Sequence, residues 1–189
     1  LFYFPYAIDH DFLEKNFNKH NKQRNKLRNN IKINKDDFVV LGIMKFVDRE
    51  DPMTLLKAFH KLSANNKNFH LILVGDGILK NNIDEYQKTN SVLNVHMPGY
   101  ISYSELTKFY SIADVFVHTA VIEQWGVSVN ESMTCLTPVI AADTVGSVYD
   151  LIDEEETGLV FKSMDHVDLS SQILKLYDSP KLQKKIIRN

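Results

Sequence analysis

The chain has 189 residues, 44% of them hydrophobic and 24% charged, which suits one folded domain and excludes wholesale disorder. Its formal net charge of -2 removes the general electrostatic case for binding nucleic acid or an anionic membrane. No apolar run approaches the ~20 residues of a membrane helix. The single cysteine, Cys135, cannot form an internal disulfide and favours a reducing, cytoplasmic setting. The seven histidines are scattered without metal-ligand spacing, so a zinc site is not expected.

The chain opens at Leu1, and the residues from Leu1 to Tyr6 read as an extended apolar segment from the middle of a longer protein. From Lys15 to Lys35 there are eight Lys/Arg and no acid. A polyanion or membrane-surface patch is one reading. The plainer one is a solvated surface helix over 18–29, because only Leu27 and Ile31 are counted toward an apolar face. Residues 1–36 are accordingly set apart as an interdomain segment with a basic helix, and 37–189 as the folded domain.

From Asp37 onward short apolar runs alternate with helical stretches. Phe38 to Ile43 is a buried strand, and Pro52 opens a helix carrying Leu55, Leu56, Phe59 and Leu62 at helical spacing. A strand over Phe69–Val74 ends in Gly75-Asp76-Gly77, followed by a helix over 78–88. Strands over 92–97, 114–118, 138–141 and 158–161 are interleaved with helices over 103–112, 126–135 and 147–152, and helices over 167–177 and 182–187 close the chain. The acidic cluster from Asp150 to Glu156 reads as a solvated loop. Alternation with short connections predicts an α/β fold, a Rossmann-like doubly wound parallel sheet. Ligands of such sheets bind beyond the carboxyl ends of the strands, so the chemistry belongs in the loops there.

Gly75-Asp76-Gly77 fits a tight turn as well as a phosphate-neighbouring loop. With no third glycine and no Gly-Lys-Ser/Thr loop, a nicotinamide dehydrogenase and a P-loop NTPase are both disfavoured. The stretch from Glu123 to Glu131 is more informative. Its two glutamates stand eight apart, the first in the loop after a strand and the second in the following helix. Gly126 lets backbone approach a ligand, and the helix start offers free N–H groups to an anion. Carboxylates on either side suit sugar hydroxyls, so a ligand with a central diphosphate and a sugar at each end fits the pattern. Taken alone, two glutamates at this spacing read better as solvated helix residues, against which the Trp-Gly between them and the preceding strand weigh, and a glycosidase-like carboxylate pair is the rival enzymatic reading.

Glu123-Gln124-Trp125-Gly126-Val127-Ser128-Val129-Asn130-Glu131 resembles the Glu-x7-Glu motif of the retaining GT-B glycosyltransferases of family 4 (glycosyltransferase group 1). The segment from Ser132 to Asp143, Val145-Gly146-Ser147, Glu156-Thr157-Gly158-Leu159-Val160, Leu73 to Gly77, Pro98-Gly99-Tyr100 and Ala113 to Val117 are similar to further family elements, all in family order. Pro5 to Asp9 resembles the segment linking the two domains. The resemblance implies the C-terminal, donor-binding domain, one half of a GT-B fold, with a missing N-terminal acceptor domain as partner. It implies a nucleotide-diphosphate sugar as donor, a glycan, lipid or other acceptor as in polysaccharide biosynthesis, and no metal or other cofactor. It leaves room for a peripheral membrane contact of the full-length protein.

By the same resemblance Glu131 holds the nucleotide ribose and Glu123 contacts the transferred sugar, with the backbone of Gln124, Trp125 and Gly126. Val127 and Ser128 meet the diphosphate, and Gly99 and Tyr100 border the base. Lys45 stands at the family's diphosphate-neutralising Arg. Glu50 falls where the family has Lys, a departure for which the adjacent Arg49 is the obvious substitute. Leu136 and Ser147 replace usual glycines. His118 and Cys135 read as packed residues, and Asp143 as a helix cap or ligand contact. A second reading, from another class, is a non-catalytic nucleotide-sensing or interaction module on the same fold.

Overall fold

A computed structural model describes residues 6–64 and 68–188. The apolar stretch at 1–5, with Pro5 of the linker-like segment, lies outside the described residues. Among those described, six strands form one all-parallel sheet: β1 (Phe38–Ile43), β2 (Phe69–Val74), β3 (Val95–Gly99), β4 (Val115–His118), β5 (Val139–Ala142) and β6 (Leu159–Phe161). Their order across the sheet is β3-β2-β1-β4-β5-β6. The Rossmann-like expectation is therefore met. β2, β4 and β5 are buried along their whole length, as helices on both faces demand.

The helices are α1 (His10–Asn21), α2 (Arg24–Asn30), α3 (Pro52–Ser63), α4 (Lys80–Thr89), α5 (Tyr103–Ile112), α6 (Val127–Thr134), α7 (Val148–Leu151), α8 (His166–Tyr177) and α9 (Pro180–Arg188). α3 starts where Asp51 accepts a hydrogen bond from Thr54 N (3.1 Å) and Pro52 needs no N–H partner. It packs on α8, while α1 and α2 pack on α5. None of the described helices is long and apolar enough to cross a membrane.

The basic N-terminal region departs from the expected solvated helix over 18–29. It forms two helices, and α1 begins eight residues earlier, burying Leu13 and Phe17 at i, i+4. Arg28 is 1% exposed. Its guanidinium donates to Ile112 O (2.9 and 2.7 Å), Asp37 O (2.8 Å), Lys35 O (3.1 Å) and Asp114 Oδ2 (2.7 Å). Arg24 donates to Asp114 Oδ1 (2.6 Å) and to the Ser111 and Ala113 carbonyls. Asp114 Oδ2 also accepts from Val39 N (2.7 Å), so one carboxylate ties α2 to the starts of β1 and β4.

Two smaller departures have local causes. β3 begins at Val95, three residues after the predicted start, because Ser91 and Asn94 adopt left-handed conformations (φ 52° and 60°). The acidic cluster is not simply solvated. Glu155 pairs with Lys175 (2.5 Å), Glu156 with Lys185, and Glu154 accepts from Val160 N (2.9 Å).

Candidate functional site

The sheet order reverses between β1 and β4, and the loops leaving their carboxyl ends stand side by side. Backbone and hydroxyl bonds hold them together: Val121 N donates to Arg49 O (2.8 Å) and Thr119 Oγ1 to Glu50 O (2.7 Å). Gly75-Asp76-Gly77 supports the first loop from below. A Cβ at Gly75 would sit 1.8 Å from Met44 O, and Phe46 N donates to Asp76 O (2.9 Å). The tight-turn reading of these glycines accounts for what they touch.

The second loop is pinned from the far side. Gly146 N donates to Glu123 O (2.9 Å) and Ser147 N to Trp125 O (2.8 Å). A Cβ at Gly146 would meet Gln124 O at 1.9 Å, so the close approach requires glycine there. Trp125 donates through Nε1 to Asn130 Oδ1 (2.9 Å), and its ring stacks on Tyr6 with centroids 5.5 Å apart. Gly126 then opens α6 in a left-handed conformation (φ 90°), with no side chain capping the helix start among the described residues. The first N–H groups of α6 are thus available to an anion.

These elements enclose a cavity of about 310 Å³ lined by Ile43, Glu50, His118, Glu123 and residues 124–128, with Tyr6 at its edge. Arg49 bridges its two carboxylates, 2.7 Å from Glu50 Oε1 and 3.8 Å from Glu123 Oε2. Burial lifts the Glu50 carboxyl above its ordinary value, against the pull of Arg49 and with the help of the Glu123 charge. His118 is buried at the cavity wall, and burial pushes its imidazole down to about 4.

The structure thus brings together Glu123, Gln124, Trp125, Gly126, Val127 and Ser128, with Arg49 against Glu123. The other candidate residues do not line this cavity, although the Lys45 charge favours the Glu50 carboxylate from outside it. Lys45 is exposed on the β1 loop. Glu131 is buried in the second turn of α6, where it accepts a hydrogen bond from the Tyr110 hydroxyl (3.0 Å). Burial raises its carboxyl, opposed by that bond. Gly99 (φ 81°) ends β3, two strands from β1, and Tyr100 beside it is 84% exposed. Cys135 is buried at the end of α6, with its thiol pushed up to about 12 by burial. Asp143 accepts from Ser163 N (2.9 Å).

Tyr110, Tyr6 and Ile43 were missed by sequence reasoning. Tyr110 lies in an ordinary amphipathic helix, and nothing local marks its hydroxyl as the partner of a glutamate 21 residues on. Glu50 and His118 were visible in the sequence; His118 is packed as expected, whereas the burial of Glu50 against the cavity was not foreseen.

Residues 23–189 match the family described as glycosyl transferases group 1. The capsular polysaccharide biosynthesis glycosyltransferase CapM of Staphylococcus aureus is 27% identical over 180 residues, covering 92% of this chain and 46% of that protein. Among solved structures, the C-terminal domain of LpcC from Francisella tularensis superposes with a TM-score of 0.77 at 18% identity, covering 88% of each chain. Anabaena HepE, solved with UDP and glucose, gives a TM-score of 0.81 at 19% identity and covers 97% of this chain but 49% of its own. The chain spans less than half the length of the curated relatives it matches.

Proposed function

The chain belongs to the glycosyl transferases group 1 family, and from that premise we propose that it is the donor-binding half of a retaining glycosyltransferase, holding a nucleotide-diphosphate sugar over the start of α6. The observation that carries this reading is the uncapped, glycine-opened helix start beside a cavity lined by Glu123. The diphosphate sits on the Val127 and Ser128 amides, the transferred sugar meets Glu123, and the ribose meets Glu131, held in place by Tyr110. The base lies toward Gly99 and Tyr100. The UDP found in HepE supports a nucleoside diphosphate as the ligand class.

The leaving diphosphate gains negative charge as the glycosidic bond breaks. Helix-start amides, Lys45 and Arg49 stabilise that charge electrostatically, and no step is assigned to a metal. Arg49 reaches it only by leaving Glu50 and Glu123, which frees Glu123 for the sugar hydroxyls. The acceptor and the groups that orient it belong to an N-terminal domain.

Glu131→Ala is expected to weaken nucleoside diphosphate binding about 10- to 150-fold, the worth of a charge-assisted hydrogen bond of about 1.5–3 kcal/mol. Calorimetry showing unchanged affinity in a folded variant removes Glu131 from the site. Lys45→Ala or Arg49→Ala should weaken the diphosphate more than the free nucleoside. Glu50→Gln should tighten the diphosphate by releasing Arg49. Equal losses for diphosphate and nucleoside would place both cations in folding rather than in the site.

A further inference from the structure

His118 ends β4 at the wall of the cavity, and none of the roles assigned above uses it. The residue is 3% exposed, and among the described residues neither its Nδ1 nor its Nε2 has a hydrogen-bond partner. Leaving a buried polar atom unpaired is unfavourable, and an apolar side chain would fill the end of a buried strand without that penalty. The ring also lies directly under the turn that opens α6. A Cβ at Gly126 would stand 2.9 Å from both its Cδ2 and its Nε2.

The charged groups around it come from two loops. From the β1 loop, Arg49 disfavours a charged ring, with Lys45 and Glu50 on the same loop. From the loop after β4, Glu123 favours the charged ring. β5 presents Ala141 opposite His118, and the first turn of α6 carries no acidic residue. Burial outweighs the Glu123 charge, so the ring is neutral in the empty domain.

Resting on the donor-site reading above, we propose that His118 is the proton-accepting partner of the bound diphosphate: neutral and unpartnered in the empty domain, it takes one proton from solvent when a diphosphate diester settles on the α6 start. Fixed negative charge above the Gly126 turn opposes the effect of burial. The occupied domain then binds more protons than the empty one between pH 4 or so and the raised value. Affinity therefore rises as the pH falls through that window and is flat above it. If occupancy returns the ring to its ordinary value of about 6.5, binding is roughly ten-fold tighter at pH 5.5 than at pH 7.5.

The test is calorimetry of the whole 189-residue chain with UDP-glucose, ADP-glucose and GDP-mannose, whose diphosphate diesters have no group titrating in this range. Titrations at about pH 6 in two buffers of different ionisation enthalpy should show uptake of roughly three-quarters of a proton per donor bound. His118→Leu should abolish both the uptake and the pH dependence while raising the Tm of the ligand-free chain, because the unpaired nitrogens are gone. His118→Asn, smaller and without a titration, is the alternative where leucine disturbs the turn. Glu50→Gln should retain the uptake, which separates His118 from the other buried titratable group of the cavity. Donor binding without proton uptake, or uptake that survives in both His118 variants, overturns the inference and leaves the donor site standing. Failure of all three donors to bind the unaltered chain overturns the donor-site reading, and the inference falls with it.

Discussion

Assayed by itself, the chain is expected to bind a nucleotide sugar and to transfer the sugar several orders of magnitude more slowly than a two-domain relative. The proposed site lies at the carboxyl ends of β1 and β4, the central strands of a single sheet, and the chain covers less than half of each curated relative it matches. Positioning two reactants supplies roughly 7–11 kcal/mol of a barrier, and closure of a second domain excludes water. Without a surface opposite, the acceptor is neither placed nor shielded. Binding suffers less, because the α6 start, Glu131 and Lys45 all belong to this chain. The measurement is titration with UDP-, GDP- and ADP-sugars alongside transfer to acceptor extracts. Efficient turnover would remove the need for a second domain and with it the two-domain reading.

The second large effect is on stability and lies far from the donor. Arg28→Ala is expected to destabilise the fold by about 3–5 kcal/mol, the usual consequence of removing one partner from a buried ion pair. For a chain of this size that is a drop in Tm of roughly 6–20 °C. Three backbone carbonyls and Asp114 lose their donor together, and Asp114 is also needed at the start of β1. Arg28→Lys should recover only part of the loss, because an ammonium cannot direct donors to four acceptors in the guanidinium plane. Thermal unfolding decides it. A loss below about 1 kcal/mol would show that the pair is no stronger than a surface salt bridge.

That arginine also shows where the sequence stopped being legible. The strands were readable because burial on both faces requires continuous apolar runs, and Phe38–Ile43 and Phe69–Val74 are such runs with no competing pattern. The turn into α6 was readable because Gly126 and its flanking glutamates are local. The docking of α2 was not, because its anchoring groups are arginines, and a buried arginine has the same letter as a solvated one. Only its distant partner, Asp114, distinguishes the two. The cavity followed the same rule. Glu123 and residues 124–128 are contiguous and were found together. Tyr110 meets Glu131 from a neighbouring helix, 21 residues away in sequence, and spacing carries no signal of that. Glu50 looked like a missing cation; in the structure it is an acid that holds Arg49.

β4 has four residues, about 13 Å of extended chain at roughly 3.3 Å per residue. Asp114 immediately precedes it and is gripped by Arg24 and Arg28, while His118 at its other end abuts the Gly126 turn. α1 is fastened to α5 by His20 on Thr107 (3.0 Å) and to α6 by His10 on Thr134 (3.0 Å). The strand is therefore a short strut clamped at its base, and the two N-terminal helices travel with the sheet as one rigid piece. Tyr6, four residues before α1, leans its ring on Trp125 at the cavity's edge, so the segment that enters α1 and the wall of the pocket share a contact.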